Sequence, residues 1–183
     1  LEIVRPLVEA GDAEAEALVV SWLERTRFVA DSESPAWRRL SVPSKGEHAA
    51  LRTQIAELLS AQSRARKEDA RSAAMLEVLL EPELAQEDRK AKLAALSKLR
   101  ASLGEEAAAL QVEIALIALA TDEKEQAAAE KRAEKIAGDD KAQVQRLVDG
   151  LLSLGEEERD ADRSLRLLRR ASELARGVLE DEG

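Results

Sequence analysis

Apolar residues along this chain recur at steps of three and four, the period at which side chains share one face of an α-helix. Leu110, Ile114 and Ile117 follow it, as do Val144, Leu147, Val148, Leu151 and Leu152. Leu51, Ile55, Leu58 and Leu59 predict a helix over 47–62. Met75, Leu76, Leu79 and Leu80 predict another, which must end near Pro82 because proline lacks the N–H that a helix interior needs. Leu93, Leu96, Leu99 and Leu103 place a helix within 84–103. At the front, Leu7, Val8 and Ala10, then Ala17, Leu18, Val20 and Leu23, read as a short helix, a turn and a longer helix, with Trp22 in the spacing of Leu18 and expected in the core. Residues 107–120 are apolar nearly all round apart from Gln111 and Glu113, so this helix is expected at the centre with Ile114 and Ile117 buried. Residues 122–137 crowd charges between Ala127, Ala128, Ala129 and Ala133, the pattern of a surface helix that permits close backbone approach.

Turn residues punctuate the second half at intervals of 17: Gly104, Thr121, Gly138 and Gly155, each followed by two acidic residues. Glycine can adopt the left-handed conformation that ends one helix, and carboxylates favour the positive N-terminus of the next. Such short connections make neighbouring helices antiparallel. The exception is 29–46, where Ser32, Ser34, Pro35, Ser41, Pro43, Ser44 and Gly46 predict a long irregular loop. The segment 156–181 is long and highly charged, as a helix capping the solvent-facing end of an array would be.

A four-turn helix, a Gly-acid turn and a second helix, repeated as a pair every 34 residues from Gly104 to Gly138, resembles the tetratricopeptide repeat and related α-solenoids. Gly11 and Asp12 before Ala13–Ala17, and Glu68, Asp69, Ala70 and Ala74 before Pro82, are similar to that family's inter-helix turn and second helix. The bulky aromatic positions of the motif are absent. The expected fold is therefore all-α: one domain over 1–183 built as an array of antiparallel helical hairpins, with an up-and-down bundle as the alternative. The resemblance implies a noncatalytic scaffold that docks a peptide, a helix or a partner domain.

Composition supports a helical core. Of 183 residues 45% are hydrophobic but only 2% aromatic, which leaves Leu, Ala, Val and Ile to fill the interior. No window is long and apolar enough to span a bilayer, and no signal-peptide pattern opens the chain at Leu1, so no membrane partner and a cytoplasmic setting are the expectation, with the sequence read as a fragment. The absence of Cys removes disulfides, thiolate metal sites and Cys nucleophiles. A net charge of −9 opposes nucleic-acid binding.

Catalytic chemistry finds no foothold: there is no phosphate loop, nucleophile elbow, His-Glu-x-x-His pair or calcium loop, and the carboxylates lie in solvated runs. No metal, cofactor or catalytic residue is expected, and the chain reads as no enzyme. His48, the sole histidine, could serve as an axial ligand only if the alternative function held, a helical bundle around haem or a small apolar ligand; an ordinary surface or capping role is the simpler reading. Two groups are candidates for partner binding. Trp37 with Arg38 and Arg39 has the composition of an interface anchor, against the reading that Trp37 plugs a gap in the array. Arg159, Arg163, Arg166 and Arg170 share one face of the final helix and could dock an acidic peptide, against the simpler reading of a solvated face paired with Glu158, Asp162 and Glu173.

Overall fold

The computed structural model describes residues 3–26, 35–43 and 48–180, and among these the chain is all-α, ten helices without a strand. They are α1 (Arg5–Glu9), α2 (Ala13–Arg25), α3 (Ala36–Ser41), α4 (Ala49–Arg66), α5 (Asp69–Leu79), α6 (Gln86–Ser102), α7 (Glu106–Leu119), α8 (Glu123–Ala137), α9 (Lys141–Glu157) and α10 (Ala161–Glu180). Sequence neighbours α4 and α5, α6 and α7, and α9 and α10 pack as antiparallel hairpins. Turn chemistry sets the boundaries as the sequence suggests: Gly11, Gly104 and Gly138 take positive φ at helix ends. Asp12, Asp122 and Asp140 accept backbone N–H groups at the starts of α2, α8 and α9.

Helix α7 is the axis of the larger hydrophobic cluster, with Leu110, Ile114, Ala115 and Ile117 fully buried and α3, α6, α8 and α9 packed around it. Its one buried charge is satisfied. Glu113, 2% exposed, accepts the Ser97 hydroxyl at 2.6 Å and Arg132 Nε at 3.0 Å, which offsets the cost of taking a carboxylate out of water. A smaller cluster joins Val8, Val19, Leu23, Ile55, Leu59 and Met75 from α1, α2, α4 and α5, and Leu76 touches both clusters. Trp22 is half-buried against the smaller cluster, whereas Leu18 points out at 57% exposure, because α2 has no neighbour on that side.

The period of the array differs from the one its glycines suggest. Arg52, Arg89, Gln126 and Arg163 stand 37 residues apart in the first turns of α4, α6, α8 and α10, the first three as the fourth residue of the helix and Arg163 as the third. At the same offset Lys67 corresponds to Gly104, and both are left-handed turn residues. The buried positions Leu59, Ala73, Met75 and Leu80 correspond to Leu96, Leu110, Val112 and Ile117. Hairpins α4–α5 and α6–α7 thus share buried and turn positions at a 37-residue offset.

Arginine in the first turn has a mechanical reason. Arg52 donates to the Leu23 carbonyl, Arg89 to the carbonyls of Leu40, Leu80 and Pro82, and Arg163 to that of Ile117, so each cation sits at the negative C-terminal end of an earlier helix. Lys67 bears the strain that glycine removes in the second copy. Lys67→Gly should therefore raise stability by about 0.5–1 kcal/mol in urea unfolding, and a loss of stability would mean that the left-handed turn is not under strain.

Two sequence-based expectations need correction. The 29–46 stretch is not one irregular loop: Ala36–Ser41 is helix α3, held down by the burial of Trp37, while 29–34 and 44–46 lie outside the described residues. Nor is 156–181 one helix. Gly155, read as a turn, is buried inside α9, where a Cβ would meet Leu168 at 2.8 Å, so it serves close packing of α9 on α10. The turn falls at 158–160, with the Asp160 side chain accepting Arg163 N–H.

Candidate functional site

Helices α2 and α5 do not close on each other. Between them lies a half-open groove of about 1000 Å³, with α3 and the first turns of α7 forming its far wall. Ala13, Ala17 and Val20 line one side of α2 at helical spacing, and Ala74, Met75 and Val78 face them from α5. The alanines leave the helix backbones accessible, so the groove is wide and smooth rather than a closed pocket.

Charges border the groove, and most are already committed. Glu16, 6% exposed, receives Arg66 at 2.7 Å and Arg71 at 2.9 Å. The Arg66 hydrogen bond holds the Glu16 carboxyl below its ordinary pKa against the opposing effect of burial, and Arg71 adds to the lowering. Arg52 holds Glu81 through two hydrogen bonds of 2.6 and 2.7 Å and also reaches Thr26. Arg39 differs: it is exposed in the α3 wall, and its guanidinium has no ion pair or hydrogen-bond partner among the described residues.

The first group of candidates is split by this geometry. Trp37 is 5% exposed and part of the larger cluster, so its indole anchors α3 to the core and offers no free face, while its backbone N–H donates to Gln111 Oε1 at 3.2 Å. Burying so large an apolar surface within the chain is more favourable than leaving it in water. Arg38 lies over the Trp37 ring at 5.7 Å and pairs with Glu157. Only Arg39 faces the groove.

The second group stands at the other end of the molecule. Arg163 pairs with Glu158 and bonds Gln126 and the Ile117 carbonyl; Arg166 pairs with Glu123, and Arg170 with Glu134 and Glu173. The stripe ties α10 to α7 and α8, and a polar slot of about 360 Å³ between α8 and α10 is edged by these same paired charges. Arg159 is exposed in the turn before α10, where its backbone N–H donates to Glu158. His48 is exposed at the start of α4 with φ of 68°, its ring 5.9 Å from that of Trp22, and it does not line the groove.

Among the described residues no group of three or more acidic or histidine side chains is placed to hold a metal ion, and no helix is long and apolar enough to cross a membrane. Sequence reasoning did not identify the groove residues Ala17, Val20, Ala74 and Val78. The available signal was the 37-residue recurrence of arginine, which aligns α5 with α7 and marks the equivalent faces. Comparison with protein-family models, with curated proteins and with solved structures finds no match for this chain. The tetratricopeptide resemblance therefore has no family match behind it, and its 34-residue period is not the one this array uses.

Proposed function

We propose that this chain is a noncatalytic scaffold whose groove between α2 and α5 docks a helix or peptide of a partner protein. The observation that carries the reading is the groove itself: half-open, walled by rows of small and aliphatic side chains, with Glu16 and Arg52 at its border already paired. A helix is about 10 Å across and three of its turns run roughly 16 Å, so a segment of that size fits a trough of this volume. Small-molecule sites of this capacity are generally more enclosed than this half-open trough.

The reading is tested by selecting a displayed library of 15-residue peptides on the intact chain and screening the survivors against Ala17→Glu. Ala17 is exposed on α2, so the variant should keep its helical circular dichroism. Selected peptides should bind Ala17→Glu at least tenfold more weakly, about 1.4 kcal/mol. Recovery of peptides indifferent to this substitution, or of none, would remove the groove as the binding site.

A further inference from the structure

We propose that α10 is a strap that closes the array and opens as a unit, and that Arg163 is its latch, a positioning residue lent to the end of α7 in the place of residue 126. The strap is independent of the docking role proposed above. Its template is the joint at Arg89, whose guanidinium donates to the Leu80 carbonyl, nine residues earlier, at 2.8 Å. Moved on by 37 residues, the same joint would run from residue 126 to the carbonyl of Ile117. That carbonyl is served, but not from α8. Residue 126 is a glutamine, and Arg163 of α10 donates to Ile117 O at 2.7 Å.

Gln126 makes room for this exchange. It is 6% exposed, accepts Arg163 Nε at 3.2 Å and donates its own amide to Glu130 at 2.8 Å. An arginine there would set a second guanidinium against the first, and like charges so close repel. In its own register Arg163 would serve Leu154 O, which instead accepts the Glu158 N–H, while the Ser164 hydroxyl takes the Gly155 carbonyl beside it. The cation of α10 thus acts one unit back, at the end of α7 and not of α9.

The other contacts of α10 give this one its weight. The helix packs chiefly along α9, with Leu168 over Gly155 and with Leu167 and Ala171 buried. It reaches α8 through Arg166 to Glu123 and Arg170 to Glu134, pairs open to solvent, where ion pairs contribute little. Arg163 is the least exposed of the three arginines, at 22% against 44% and 36%. Its guanidinium meets main-chain oxygen at the negative end of α7, Glu158 pairs with it, and Asp160 accepts its backbone N–H. A helix joined to an array along one neighbour and at one latch is a unit that opens locally, so that release of α10 uncovers α9 around Gly155 while α4–α7 stay packed.

Hydrogen–deuterium exchange of the intact chain tests the latch, read by mass spectrometry on peptides from α10, from the corner 117–125 and from α4–α6. Arg163→Gln should speed exchange in α10 and in the corner by about tenfold or more and leave α4–α6 within about twofold. In Gln126→Arg/Arg163→Gln the guanidinium returns to the α7 end from α8. The corner should then regain protection to within about twofold of the unsubstituted chain, while α10, no longer tethered, stays about tenfold faster or more. Unchanged exchange of α10 in Arg163→Gln overturns the proposal, and so does loss of protection in all helices together, which would make α10 part of one cooperative unit. Recovery of α10 in the double variant would show that the arginine fills a place without latching a helix, and failure of the corner to recover would show that residue 126 does not stand at the joint. Either result overturns it too.

Discussion

Arg89→Met should destabilise the protein by about 3–5 kcal/mol, the range for breaking a buried charged contact, and lower its melting temperature by roughly 10 °C for a chain of this size. Arg89 is 3% exposed, and its guanidinium donates to the carbonyls of Leu40, Leu80 and Pro82 at 2.8–3.0 Å. All three acceptors are main-chain carbonyls; burial pushes its pKa down, and the negative ends of α3 and α5 supply the compensation. Replacing both members of a buried ion pair by apolar groups can be harmless, but here the acceptors are main-chain carbonyls that no side-chain substitution removes. Methionine fills similar space and leaves all three without this donor, at about 1–3 kcal/mol for each buried group that stays unsatisfied. Arg89→Lys should fall between, since one ammonium on a flexible stem cannot reproduce the planar fork that spans several acceptors. Urea unfolding that shows Met costing less than about 0.5 kcal/mol would mean that water replaces the guanidinium and that the three chain segments are held by packing alone.

The same arginine shows where the sequence was legible and where it was not. Helices, their faces and the central place of α7 could be read because burial imposes a period on apolar residues, and Leu110, Ile114 and Ile117 carry it without interruption. Glycine turns could be read for the same local reason: a positive φ at Gly104 or Gly138 leaves its mark at a single position. The repeat itself could not be read from glycine, because Lys67 occupies the left-handed position in one copy and Gly155 sits inside a helix in another place. What recurs is an arginine in the first turn of α4, α6 and α10, with Gln126 in its place in α8, and its purpose appears only once another helix end is brought against it. Among charges as frequent as 36% of the chain, that signal is hidden.

The candidate site failed to show for a related reason. Composition drew attention to Trp37, Arg38 and Arg39 together, but a helix sends consecutive side chains in different directions. The structure accordingly gives Trp37 to the core, Arg38 to Glu157 and Arg39 to the groove. The groove is made of residues that are unremarkable one by one. Ala17 and Ala74 look like helix formers with nothing to do, and only the separation of α2 from α5 turns them into walls.

Ile114 and Gly150 should behave as one unit. Ile114 is fully buried at the centre of α7, so Ile114→Ala should cost about 2–5 kcal/mol through lost burial and a residual cavity. Gly150 lies opposite in α9, where an added Cβ would fall 2.6 Å from Ile114 Cδ1 and 3.2 Å from its Cγ1 and Cγ2. Gly150→Ala alone should therefore cost about 1–3 kcal/mol by overpacking, even though alanine is the better helix former by about 1 kcal/mol. In the Ile114→Ala background the obstructing atoms are gone. The new methyl then enters the space they leave, the helix-propensity gain is no longer opposed, and Gly150→Ala should change sign and stabilise. A double-mutant cycle in urea should accordingly give a coupling of at least about 1 kcal/mol, with the double variant more stable than Ile114→Ala. Additive losses would show that α7 and α9 move apart to admit the methyl, and that glycine at this position does not set their separation.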